Sequence, residues 1–380
     1  MKDLTYVLRK PNKDDCCEGF KAADLVSLKN TEAVYDFHKE IKGYAPTPLA
    51  DLKNQAERLG IGKLWVKDES KRFGLNAFKG LGGSYAISKC MPKDERKLTF
   101  VTATDGNHGR GVAWAAKELG HDAVVYLPKG SAAERLENIR ALGAYAEITD
   151  MNYDDTVRFA SEMADKEGWI LVQDTSWPGY EEIPGYIMQG YTTLASEIIY
   201  QLADGNNDTP THIFLQAGVG SFAGAIAGFF FSLYKEECPK IIIVEPDKAD
   251  CIYRTAIADD GEIHIVTGDM DSMMAGLCCG EPCSLGWSIL KGCADCFISC
   301  SDEYAAKGMR LLGRPIGNDA HIISGESGAV TAGVLEAIMM DEELKELKEK
   351  LALNSRSRVL LISTEGDTDR ENYRKIMKNI

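Results

Sequence analysis

Three short segments hold residue types that could do chemistry together. The first is KDESKRFGLNAFK, residues 67–79. A strand-like LWVK runs into a loop and then into a helix whose apolar positions Phe78, Leu81 and Tyr85 share one face. Lys79 falls at the start of that helix, among apolar neighbours and near the positive end of its dipole. Both influences lower an ammonium pKa, which an amine nucleophile requires. The second segment is Thr104-Asp105-Gly106-Asn107-His108-Gly109, where a strand ends in a turn that opens a helix over residues 111–119. Amides exposed at such a turn suit a carboxylate, and Asp105 would stand beside it as an acid. The third is Gly218-Val219-Gly220-Ser221 with Gly224, again between strand and helix, where backbone can cradle a phosphate. Taken singly, each has an ordinary explanation: a solvated lysine, an N-cap from Asp105 or Asn107, a tight turn. Glu245, ending the next strand, could also pass for the ribose ligand of an NAD dehydrogenase, although G-x-G-x-x-x-G is not the dinucleotide spacing.

The elements that must position these segments alternate strand and helix. Strand-like runs occur at Leu64–Lys67, Thr99–Thr102, Ala123–Leu127, Tyr145–Ile148, Ile170–Gln173, Ile213–Gln216, Ile241–Glu245, Phe297–Ser299 and Val359–Ser363. Between them lie helical periodicities such as Val157/Ala160/Met163, opened by Asp154 and closed by Gly168. Ser301 has the look of an N-cap, with Asp302 and Glu303 in the first turn. Short strands without polar alternation, separated by helices, predict an α/β fold with parallel sheets covered on both faces. Four of the strands lie between about residues 99 and 174, so one domain inserted into another is expected: 90–185 within 1–89 and 186–380.

Composition narrows the function. Acidic residues outnumber basic ones by 58 to 43, for a net charge of −15, which opposes nucleic acid and acidic lipid as partners. No apolar run approaches the ~20 residues of a membrane span, and the charged N-terminus does not resemble a secretory signal. Eleven cysteines with no export signal suit a reducing cytosol, so the expectation is a cytoplasmic protein. Six cysteines crowd between Cys278 and Cys300, but no histidine lies among them. Buried, reduced thiols are expected there rather than zinc or a disulfide, with a Cys251–Cys279 redox pair as the alternative.

In combination and in this order, the three segments resemble the fold-type II pyridoxal-phosphate (PLP) enzymes, over nearly the whole chain. That resemblance implies two parallel-sheet, three-layer domains with the active site in the cleft between them. It implies that Lys79, after Phe78, carries PLP as a Schiff base. Thr104, Asp105, Gly106, Asn107 and His108 would bind the substrate carboxylate, with Asn107 reaching the cofactor's 3′-oxygen. Gly218, Val219, Gly220 and Ser221 would hold the phosphate. Thr364, with Ser363 as alternate, would offer a hydroxyl to the pyridine nitrogen. A neutral partner there makes the cofactor a weaker electron sink, which suits prompt elimination.

The stretches TDGNHGRGVAWAA, VQDTSWPGY, GNDAHIISGESGA and ISTEGDTD are most similar to the branch of that family acting on 2,3-diaminopropionate. The resemblance then implies elimination to pyruvate and two ammonia from both D and L isomers, by a homodimer acting on a small amino acid. Lys79 would take the Cα proton from one face and Asp105 from the other. Asp174 would be a second acid facing the substrate, orienting the β-ammonium leaving group or assisting Asp105, with one of the two nearby carboxylates raised in pKa, or else a cap of the turn that follows it. A serine or threonine dehydratase is the alternative, and Asp105 speaks against it, since dehydratases usually carry a small residue there. His108, Trp177, Pro178, Tyr180 and Glu326 are further candidates for the pocket wall or mere packing.

Overall fold

The computed structural model describes residues 4–11, 25–92, 94, 96–104, 106–204 and 208–378. All nine expected strands form. The larger sheet joins β1 (Leu4–Leu8), β2 (Leu49–Asp51), β3 (Lys63–Asp68), β8 (His212–Gln216), β9 (Lys240–Pro246), β10 (Cys296–Cys300) and β11 (Arg358–Ser363). Their order is β1-β10-β9-β8-β11-β3-β2. The smaller sheet, in the order β6-β5-β4-β7, uses β4 (Thr99–Ala103), β5 (Asp122–Leu127), β6 (Tyr145–Ile148) and β7 (Ile170–Leu171).

Within both sheets the inner pairings are parallel. The central strands are buried along almost their whole length, which is why they lack polar alternation. Sequence reading missed β1 and β2, which pair antiparallel at the two edges of the larger sheet. β1 is the mixed LTYVL beside charged residues and β2 is three residues long, so neither presents an apolar run.

The helical caps needed adjustment. The helix Tyr153–Glu167 is opened by Asn152, whose side chain accepts the Asp155 amide at 2.9 Å, rather than by Asp154. It closes on Gly168, as expected. Ser301 does precede the helix Asp302–Gly313, but its hydroxyl makes no capping bond. Among the described residues, no helix is long and apolar enough to cross a membrane.

Candidate active site

The carboxyl ends of strands from both sheets converge. In the larger sheet the chain winds outward from β8 through β9 to β10, whereas β11 and β3 lie on the other side of β8. A crevice forms at such a reversal, beyond the carboxyl ends of the strands. The expected residues Phe78, Lys79, Thr104, Asn107, His108, Asp174, Gly218, Val219, Gly220, Ser221 and Thr364 line one cavity there. Gly106 lies in the same turn without lining it. Asp105 lies outside the described residues.

Lys79 immediately precedes helix α1 (Gly80–Cys90). Its approach is fixed from two sides. The Phe78 amide donates to the Thr364 carbonyl at 3.2 Å, stitching the lysine segment to the end of β11. Opposite, helix α2 (Asn107–Glu118) comes so close that a Cβ on Gly111 would lie 2.8 Å from the Lys79 carbonyl carbon. The Lys79 ammonium pairs with the Asp174 carboxylate inside the cavity.

Burial alone would push the Asp174 carboxyl up, but the adjacent positive charge holds it at about 2. His108 and the Lys79 ammonium are the neighbours that lower it, and burial in turn lowers the His108 pKa. Beside Lys79 the Asp174 group is an anion at neutral pH. It does not cap the turn that follows, where Trp177 and Tyr180 bridge instead.

The Thr104 side chain ties the Thr104–His108 turn together. The Thr104 oxygen accepts the amides of Gly106 at 2.8 Å and Gly109 at 3.0 Å, so the hydroxyl's own proton is its remaining means of binding a substrate. Gly106 adopts φ 145°, a conformation that glycine alone takes readily. The His108 Nε2–H donates to the Val172 carbonyl at 2.8 Å, with Nδ1 aimed toward Asp174 at 3.7 Å.

The glycine loop enters helix α3 (Ser221–Tyr234), whose first amides have no partner within the helix. Gly220 has φ 94°, and a Cβ on Gly218 would meet the Leu277 backbone at 3.1 Å. The Ser221 hydroxyl donates to the Asp174 carbonyl at 2.5 Å, so its side chain ties the loop to Asp174. Thr364 accepts a bond from Gln216 Nε2 at 2.7 Å. The alternate, Ser363, donates to Ser324 at 2.7 Å and does not line the cavity.

These residues fit pyridoxal phosphate. An amine for its aldehyde, a helix N-terminus for its phosphate and a hydroxyl for its ring nitrogen surround one space. Three buried polar atoms on the same walls, His108 Nδ1, Gln216 Oε1 and Ser327 Oγ, make no hydrogen bond. Gln216, Ser327, Tyr153 and Glu365 also line it and escaped sequence reading. Glu365 could have been noticed as the residue after Thr364, where the chain leaves β11.

Rival readings lose their residues. Glu245 is buried, and its two oxygens accept the amides of Ile252 (2.9 Å) and Tyr253 (2.6 Å), so it caps the helix Cys251–Ala258 rather than facing a ribose. Cys251 and Cys279 are buried and not joined in a disulfide, with Cys279 at the cavity wall. Among the described residues, no three His, Cys, Asp or Glu side chains group to hold a metal. The Tyr180 hydroxyl donates to the Leu171 carbonyl and accepts from the Gln173 amide, which makes it packing. Trp177 and Pro178 line a neighbouring cavity with Tyr153 and Val219.

Comparison with known proteins agrees with this geometry. Residues 41–365 match the family described as pyridoxal-phosphate dependent enzyme. Diaminopropionate ammonia-lyase of Escherichia coli (strain K12) is 52% identical over 374 residues, covering 94% of this chain and 93% of that protein. This chain belongs to the diaminopropionate ammonia-lyase family of PLP-dependent enzymes. The solved structure of the Escherichia coli enzyme in complex with an aminoacrylate-PLP azomethine reaction intermediate superimposes with a TM-score of 0.91 at 50% identity, over 98% of this chain and 96% of that one. The same enzyme in complex with D-serine gives 0.91 at 49% identity over the same shares. The enzyme is thus a carbon–nitrogen lyase of the β-eliminating kind, with PLP as its cofactor.

Proposed function

We propose that the enzyme converts both D- and L-2,3-diaminopropionate, with one water, to pyruvate and two ammonia. The observation that carries this reading is the Lys79–Asp174 pair, an amine and an ionised carboxylate side by side in a cavity that also offers a phosphate cradle. Bound pyridoxal phosphate supplies the electron withdrawal that makes the substrate's Cα–H acidic. The Lys79 amine is the base on one face of Cα, and Asp105 is the base on the other, so each enantiomer meets its own acceptor. The amides of the Thr104–His108 turn bind the substrate carboxylate. Asp174, charged at neutral pH, orients the β-ammonium group as it leaves. The enamine released tautomerises and hydrolyses in water, which needs no further side chain.

The two sheets support a division into 1–89 with 186–380 and an inserted 90–185. Kinship with the Escherichia coli enzyme supports a cytoplasmic location, and homodimer formation, implied by family resemblance, is checked by sedimentation. The test of function is pyruvate release from D- and L-2,3-diaminopropionate, with serine and threonine alongside. Both diaminopropionate isomers should turn over well, and a preference for serine or threonine would replace the assignment by a dehydratase. Asp105→Asn should impair the D isomer by ~10²-fold or more relative to the L isomer. Equal losses for both isomers would rule out separate bases.

A further inference from the structure

Behind Asn107 stands an acid that the steps above do not use. Glu365 is 2% exposed, and all its bonds come from donors. One oxygen accepts Asn107 Nδ2 at 2.5 Å and the Thr368 hydroxyl at 3.1 Å, while the other accepts the Ser327 amide at 3.1 Å. An ionised carboxylate can only accept, so it must turn the NH₂ end of Asn107, not its carbonyl, toward itself. A primary amide has two N–H groups. With one committed to Glu365, the second remains available in the plane of the amide, and both residues line the cavity.

We propose that Glu365 is the positioning residue of the cofactor site: it fixes the amide of Asn107 so that a donor faces the cofactor's 3′-oxygen. This rests on the reading that Asn107 contacts that oxygen. Glu365 is held in turn by groups from separate elements, the start of the helix Glu326–Met340 and the turn reaching Thr368. Its backbone is fixed as well, since residue 365 bridges Ala77, two positions before Lys79. The side chain and backbone of this one residue therefore register the Asn107 turn against the lysine segment. The neighbouring ionisable group is Glu326, itself near Arg135. Without Glu365, the Asn107 amide can rotate and present its carbonyl to an oxygen that needs a donor.

The experiment is a pH titration of the visible cofactor absorbance of the holoenzyme, for the parent, Asn107→Ala, Glu365→Leu and the double variant. Loss of a donor to an anionic oxygen raises the midpoint, and a shift of about half a pH unit or more is expected for each single change. The double variant should move no further than Asn107→Ala alone, because both changes remove the same contact. Glu365→Asp, which withdraws the carboxylate by one methylene and keeps its charge, should shift the midpoint too, and it serves if the leucine variant does not fold. A parental midpoint for the Glu365 variants beside a shifted Asn107→Ala overturns the proposal alone, and so do additive shifts. A parental midpoint for Asn107→Ala overturns the reading of Asn107 and the proposal with it.

Discussion

Two buried ionic clusters lie at opposite ends of the segment 67–79, and they differ in how completely their groups are used. At its start, Arg72 is 1% exposed and grips two carboxylates: Glu69 at 2.8 and 2.9 Å and Glu197 at 2.7 and 2.8 Å. Lys67, fully buried, meets the same Glu197 at 2.7 Å, the Thr47 carbonyl at 2.7 Å and Gln201 at 2.8 Å. Burial opposes ionisation of Glu197, but the two cations hold its carboxyl at about 2. Two positive and two negative groups close on one another. At the segment's other end, Lys79, Asp174 and His108 use the same chemical types, yet His108 Nδ1 is left without a partner and the lysine is about one-fifth exposed. A closed cluster is a structural device, since its bonding capacity is saturated. An open one holds capacity in reserve for a ligand.

The largest effect expected from this contrast is at the open end. Lys79→Ala should lower pyruvate formation by ~10³-fold or more and abolish the visible cofactor band. A variant that kept a borohydride-reducible band would show that another amine carries the cofactor. The closed end should answer in stability instead. Arg72→Leu leaves Glu69 and Glu197 as buried carboxylates short of a partner, a change that costs about 3–5 kcal/mol. Denaturant unfolding should show that loss, while activity per folded molecule stays near the parent's. If Arg72→Leu lowered turnover without lowering stability, the distinction between the two clusters would fail.

How much of this was legible in sequence follows from what each feature depends on. The buried parallel strands announce themselves, because a strand covered on both faces must be apolar at every position, as in IIIV of β9. Lys79, the Asn107 turn and the glycine loop are each local, a few residues between a strand and a helix, so their order along the chain carries them. Edge strands have no such constraint and were missed. So were partnerships between distant segments: Glu365 with Asn107 and Gln216 with Thr364. Asp174 was found by position, but its pairing with Lys79 was not. Its pKa depends on which groups stand beside it, and residues 79 and 174 become neighbours only on folding.

Glu326 sharpens the comparison with the smallest effect. It begins its helix beside the cofactor cavity and is 2% exposed, with one oxygen accepting Asn372 Nδ2 at 2.6 Å. Among the described residues no cation forms an ion pair with it as Arg72 does with Glu197, although Arg135 stands near. Burial, and then the nearby Glu365 carboxylate, push its carboxyl up to about 7 from an ordinary 4.5. A folded-state pKa raised above the unfolded one gives stability that is fully present below about 4.5 and is lost as pH rises through 7. Glu326→Gln keeps the acceptor for Asn372 and removes the titration. Its stability should therefore approach the parent's near pH 5 and exceed it at pH 8, by on the order of 2 kcal/mol more at the higher pH. Unfolding of both proteins across that range measures the gap directly. A gap that does not change with pH would mean that Glu326 is already paired, and that the wall behind Asn107 is as closed as the cluster around Arg72.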